Sequence, residues 1–389
     1  MIVIDQITII ICVVLILLAI ISPLFNPFFR ARSLFAKNDE EKEEEETRSS
    51  DQYPPITVLI TAHENAEELE RHLPTLLSLD YPGAFEIVVV AEKGDGETED
   101  VLKRYINNRH LYYTFIPNSS RYMSRKKLAI TLGVKASRYE WIIMTDANST
   151  PSSDEWLKTM AKNLNDNTNM VIGYSNYGKD APSYYRFEQL RTACYLLQKA
   201  RQSVAFRTNC TNVIFRKSEF IKRDGYKGNL QLVRGEFDFL VNKFAKKHDT
   251  IVETSNKTWM TDELPTRKTW RDKHIFYMET RKHLARRHAF RFVYNLDTFL
   301  LHLNFLAIIA SLAYSIIVQN WIITAFAALA LIYSIYIRTA FAKRVFRRSD
   351  TQISLWKVIP YELIDVWYNI RHYFRYLKAD KNDFSSHKV

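Results

Sequence analysis

Three long apolar runs constrain this chain more than anything else in it: Ile7–Phe25, Phe299–Val318 and Trp321–Ile337. Each has about the length that a bilayer core demands of a helix. In hydrocarbon every backbone N–H and C=O must be satisfied within the segment, which leaves helices as the solution for such runs. Asp5 precedes the first run, and Arg30, Arg32 and Lys37 follow it. That charge order belongs to an anchor whose following domain is cytoplasmic, not to a cleaved signal. The other two runs are joined only by Gln319-Asn320, with Arg286, Arg287 and Arg291 before the pair and Lys343, Arg344, Arg347 and Arg348 after it. Positive charge on both outer flanks makes a hairpin whose tip faces away from the cytoplasm.

The formal charge of +11 calls for polyanionic neighbours. Because the basic residues flank the apolar runs instead of lining one soluble face, the expected neighbours are anionic membrane lipids and not nucleic acid. The three cysteines, Cys12, Cys194 and Cys210, show neither a paired framework nor metal-ligand spacing, which fits a reducing compartment. The reading is a multi-pass protein of the inner (cytoplasmic) membrane.

Residues 1–36 form the anchor and 37–53 an acidic linker around Glu43–Glu46, a solvated tether. Strands then alternate with amphipathic helices: Ile56–Thr61, Phe85–Val90, Tyr112–Ile116 and Trp141–Met144 are the strands, with helices at Leu69–Leu79, Thr98–Ile106 and Ser124–Ala136 between them. Such alternation implies parallel strands joined by right-handed crossovers, a doubly wound α/β sheet. Farther on the order loosens. A strand at Met170–Tyr174, a helix at Tyr184–Val204, a strand at Asn212–Lys217, a helix from Gly235 to Lys247 and a basic helix at Thr269–His288 follow. The expected boundaries are an α/β domain at 54–265, a basic juxtamembrane segment at 266–298, the hairpin at 299–340 and a tail at 341–389. Trp367, Tyr373 and Phe374 among Arg371, Arg375 and Lys378 give that tail the character of an interfacial helix.

The strand at Trp141–Met144 opens into Thr145-Asp146-Ala147-Asn148. Open α/β sheets bind ligands at the carboxyl ends of their strands, where Asp146 emerges. A carboxylate there, with the oxygen of Asn148 two residues on, can hold a divalent cation shared with substrate phosphates. Read locally, the same Asp146 could instead cap the helix that begins near Ser153.

With these residues in view, Pro54 to Leu284 resembles the family 2 glycosyltransferases, and the anchor and hairpin resemble the membrane-bound, processive-type branch. The resemblance implies a GT-A-like, mostly parallel sheet plus three transmembrane helices. It also implies transfer of a sugar, with inversion, from a nucleotide-diphosphate sugar to a polysaccharide or lipid-linked acceptor. Thr61 and His63 fall in the loop that covers the nucleotide, and Glu92 stands where an acidic residue reads uracil, which points to a uridine-diphosphate donor. Lys126 matches a lysine near the phosphates. Asp146 and Asn148 match the metal-binding Asp-x-Asp, the cation being manganese or magnesium, with an uncharged amide in the second place. Glu236 stands where the general base is expected, and Asp238 is the runner-up. Arg281, Lys282 and His283 keep the charge of a diphosphate-binding motif whose aromatic residue is lost. The alternative is a catalytically impaired, nucleotide-sugar-binding scaffold in a polysaccharide assembly complex. The spans are thin for an export channel, so single-sugar addition or a channel built with export partners is expected.

Overall fold

The computed structural model describes residues 5–35, 53–116 and 124–385, with the side chain of Arg32 left aside. The linker at 37–52 lies outside the described residues. The chain divides into two compact units, Met1–Phe35 with Arg286–Arg371 and Ala36–Ala285 with His372–Val389.

The first unit begins with helix α1, Gln6–Ile21, capped by Asp5, whose carboxylate accepts from the Thr8 N–H at 2.8 Å.

The second unit holds the sheet. It runs β1 (Ile56–Thr61), α2 (Ala66–Leu77), β2 (Phe85–Glu92), α3 (Gly96–Arg104), β3 (Leu111–Ile116), α4 (Arg125–Ala136) and β4 (Trp141–Asp146). Short elements follow: β5 (Ser149–Pro151), α5 (Trp156–Ala161), β6 (Met170–Ile172) and β7 (Ser175–Tyr177). Then come α6 (Ser183–Gln202), β8 (Val213–Arg216), α7 (Lys217–Lys222), α8 (Glu236–Phe244), β9 (Thr250–Val252), β10 (Met260–Asp262) and α9 (Arg267–Thr280). The main sheet has the order β3-β2-β1-β4-β8-β6-β9. Its first four strands are parallel, and β1, β2 and β4 are near-continuous runs buried on both faces, as suits a parallel sheet. Ile56, Val58 and Ile60 pack with Leu69, Leu73 and Leu76 on one face. On the other, Gly133 of α4 lies so close that a Cβ there would come within 2.2 Å of Leu59 Cδ1.

Strand β8 pairs antiparallel with both β4 and β6, so the sheet is mostly and not wholly parallel. The strand expected at Met170–Tyr174 is two: β6 ends at Ile172, the Gly173 N–H donates to Asn212 O at 2.8 Å, and β7 joins a second sheet of order β5-β10-β7. The helix expected to run from Thr269 to His288 stops at Thr280, and the chain passes through turns to Arg286, whose φ of 63° marks the start of the next helix.

Back in the first unit, α10 (Arg287–Ile317) and α11 (Trp321–Arg348) extend well beyond the apolar runs that announce them. Between them Gln319 has φ of 52°, and Asn320 caps α11 by accepting from the Ile322 N–H at 3.1 Å. Of helix α12, Val358–Lys378, the part up to Arg371 belongs to this unit and exposes Ile364, Trp367 and Ile370.

Candidate active site

The site forms where three pieces of chain converge on the carboxyl end of β4. Asp146 is the last residue of that strand, in register with Thr61 of β1. The start of α4 is tied down by Ser124, whose Oγ donates to Val233 O at 2.9 Å and whose N–H donates to Leu230 O at 2.9 Å. Lys127 reinforces the tie: its buried Nζ donates to Asn229 O at 2.9 Å and Leu232 O at 2.6 Å, and burial pushes it down to about 8. Lys127 thus fastens the 229–233 segment, and its neighbour Lys126 is left to face the site. The same segment leads through Gly235, with φ of 92° at the cap of α8, into Glu236 and Asp238 on that helix's first turn.

Lys126 joins the pieces. Its Nζ lies 2.6 Å from Asp146 Oδ1 and 3.0 Å from Glu236 Oε1. Burial opposes its charge, yet the two carboxylates outweigh that and hold the ammonium above its usual range. Burial would likewise raise the Glu236 carboxyl, but Lys126 and then Arg234 override it and bring it down to about 2. Glu236 Oε2 is buried with no hydrogen-bond partner among the described residues. Asp238 behaves in the opposite way: burial raises it to about 6, only partly opposed by Arg207 at 3.5 Å.

A cleft of about 770 Å³ takes in Lys126, Asp146, Asn148, Glu236 and Asp238 together. That size suits a small ligand. Its far wall comes from α6, α9 and the second sheet. There Lys273 Nζ donates to Tyr177 Oη and Gln189 Oε1, both at 3.1 Å. Asp262 accepts from Ser149 Oγ at 2.6 Å, Thr211 Oγ1 at 2.8 Å and Ser175 Oγ at 3.0 Å.

A comparison with family models matches residues 57–223 to Glycosyl transferase family 2. Residues 57–223 are thus similar to the family 2 glycosyltransferases. The main sheet is mostly parallel, and three helices are long and apolar enough to cross a membrane. A comparison with curated proteins returns no match. Among solved structures the chain is similar to the mannosyltransferase PcManGT of Pyrobaculum calidifontis in complex with GDP-Man and Mn2+. The identity is 15% and the TM-score 0.49, over 88% of this chain and 99% of that one. It is also similar to S. aureus TarS 1-349, alone at 13% identity and TM-score 0.40, and with UDP-GlcNAc at 14% and 0.41, each over 82% of this chain and 91% of that one.

The other expected site residues stand apart from the cleft. His63 Nδ1 lies 3.3 Å from Glu92 Oε2, and Glu92 also accepts from Arg125. These three form a cluster at the ends of β1, β2 and α4, and neither Thr61 nor His63 nor Glu92 lines the cleft. Glu64 does line it; its N–H donates to Asp95 Oδ2 at 2.9 Å. Lys282 donates to Glu279 Oε2 at 3.1 Å and to Tyr376 Oη, and His283 sits 3.5 Å from Glu279, while Tyr277 and Thr280 on the preceding turn reach the cleft. Asp146 caps no helix; Glu155 stands at the cap of α5. Sequence reading passed over Glu188, Arg207, Asp262 and Lys273, which are scattered over two helices, a loop and a three-residue strand with no local pattern to mark them.

A divalent cation is expected at Asp146 and Asn148, and the donors there do not suit one. Asn148 offers only an amide oxygen, and Asp146 already accepts from an ammonium. Among the described residues no three His, Cys, Asp or Glu side chains gather where they could hold a metal ion. One carboxylate is too few to hold a cation without a substrate's phosphates, and here Lys126, 2.6 Å away, already takes that carboxylate.

Proposed function

We propose that this chain is an inverting glycosyltransferase that takes a sugar from a uridine-diphosphate donor. The acceptor is a hydroxyl of a polysaccharide or lipid-linked glycan at the cytoplasmic membrane face, with anionic lipids around the spans and the tail. The observation that carries the reading is the joining of Lys126 and Asp146 with Glu236 and Asp238 in one cleft. A fixed positive charge at the strand end suits a diphosphate. The His63–Glu92–Arg125 cluster at the neighbouring strand ends suits a base that reads by hydrogen bonds. The divalent cation is no part of the reading, because the donor set does not fit one.

Of the two candidate bases, Asp238 takes the role ahead of Glu236. A base must accept a proton at working pH, and efficiency peaks when its pKa lies near that pH. Glu236, held at about 2 by Lys126 and Arg234, is a poor acceptor, whereas Asp238 at about 6 is poised to work. In the step, Asp238 receives the acceptor hydroxyl's proton as that oxygen bonds to the anomeric carbon. The bond from that carbon to the diphosphate oxygen breaks, and the nucleoside diphosphate leaves with its electron pair.

The test is a panel of nucleotide sugars, offered to membranes bearing the parent, Asp238→Asn or Glu236→Gln, with transfer and hydrolysis both followed. Asp238→Asn should lose about 10²–10⁴-fold in turnover while keeping nucleotide binding. Binding without turnover in the parent, for every donor, would favour the scaffold reading instead.

A further inference from the structure

We propose that the Lys126 ammonium is the resident counter-charge for the donor's diphosphate, and that the chain therefore binds nucleotide without a divalent metal. The inference deepens the reading above and rests on the cleft being a nucleotide site. It stands on position first. The ammonium already occupies the place beside Asp146 that a metal would take, 2.6 Å from one carboxylate and 3.0 Å from the next. A divalent ion on Asp146 would share a single carboxylate with that ammonium, and the two like charges would repel across a few ångströms of a sheltered cleft.

The hydrogen-bond count points the same way. An ammonium has three donors. Asp146 accepts one and Glu236 lies within ion-pair distance of a second, which leaves a donor for a phosphate oxygen. The lysine is also held for the task. Its helix start is fastened by Ser124 and Lys127, and the Phe237 ring centroid lies 5.9 Å from its Nζ. Arg234 lines the cleft as a further cation for the same anion. Asn148 fits this scheme, since a second carboxylate there would only add negative charge that a phosphate must approach.

The experiment is calorimetric titration of the detergent-solubilised full chain with UDP and with GDP, once in EDTA and once in manganese. For the nucleotide that binds, the two affinities should agree within about threefold, well under the worth of one hydrogen bond to a charged group. A gain of about tenfold or more on adding manganese overturns the inference. If neither nucleotide binds in either condition, the nucleotide reading of the cleft fails, and this inference with it. Lys126→Ala, checked for folding by its melting curve, should lose about tenfold or more in EDTA. It should regain part of that loss in manganese, because Asp146 is then open to a metal. Lys126→Arg keeps the positive charge and should lose less than Lys126→Ala. A folded Lys126→Ala protein that binds nucleotide in EDTA as the parent does removes Lys126 from the role.

Discussion

Glu236 and Asp238 stand two residues apart on the same helical turn, and their surroundings drive their proton affinities in opposite directions. The divergence separates a carboxylate that is permanently charged from one that can exchange a proton near neutrality. The sign for activity follows. Asp238 is protonated, and useless as a base, below about 6, so kcat/KM should fall about tenfold per pH unit on the acid side of that value. Arg207 holds the Asp238 carboxyl lower than burial alone would leave it, and its own guanidinium stacks 4.1 Å from the Tyr277 ring centroid. Arg207→Ala should therefore move the acid limb to higher pH, and Arg207→Lys should largely restore it. A pH profile of kcat/KM for the three proteins checks this, and an unmoved limb would separate Arg207 from the base. At this scale the sequence was half legible. Lys126, Asp146 and the Glu236–Asp238 pair sit at strand ends and helix starts, where local pattern and family resemblance both apply. Arg207, Lys273 and Asp262 come from segments brought together only by tertiary folding, and a single sequence carries no trace of that.

The elements that set the site owe their positions to close approach of backbone to sheet. Helix α4 can deliver Lys126 to Asp146 because Gly133, two turns on, has no side chain between the helix and Leu59. Gly133→Val would drive methyl groups into the buried Leu59 and toward Val90, whose Cγ2 would lie 3.1 Å from the new Cβ. Overpacking of this kind costs about 1–3 kcal/mol. The helix can relieve it by lifting its start away from the strand end, so nucleotide affinity should fall together with the melting temperature. A variant that melts like the parent and binds nucleotide equally would show that α4 tolerates the displacement. The long elements were legible because their apolar periods are long: β1, β2, β4, α2 and α4 all lie within a few residues of their expected bounds. The second sheet was not, since β5, β7 and β10 have three residues each and no period can be read from three residues. The antiparallel entry of β8 was likewise hidden, because strand direction is set by the path of the preceding chain and not by composition.

Across the whole molecule, the three spans announced by hydropathy carry a feature that hydropathy obscured. The third apolar run stops at Ile337, yet helix α11 continues to Arg348, and Arg338, the first residue beyond the run, is fully buried. Its Nη1 donates to Glu362 Oε2 at 2.9 Å, and its Nη2 donates to Asp297 Oδ1 at 2.9 Å, Ser22 O at 3.0 Å and Ser22 Oγ at 2.9 Å. Asn26 Nδ2 also donates to Glu362 Oε1 at 2.6 Å. One side chain on α11 thereby connects the end of α1 with α10 and α12 inside the first unit. A buried ionic node is a weak argument for net stability, because desolvation offsets much of the attraction, but removing one partner is costly. Arg338→Met takes away a guanidinium that Asp297 and Glu362 both accept from, and it should destabilise the unit by about 3–5 kcal/mol. If the cost is that of stranded charge and not of lost packing, removing the facing charge as well should recover part of it. The double variant Arg338→Met/Glu362→Leu should then melt above Arg338→Met when both are followed by thermal unfolding in detergent. A double variant that melts no higher than the single one would mean that Arg338 acts through its bonds to Ser22 and its packing, with the carboxylates as bystanders.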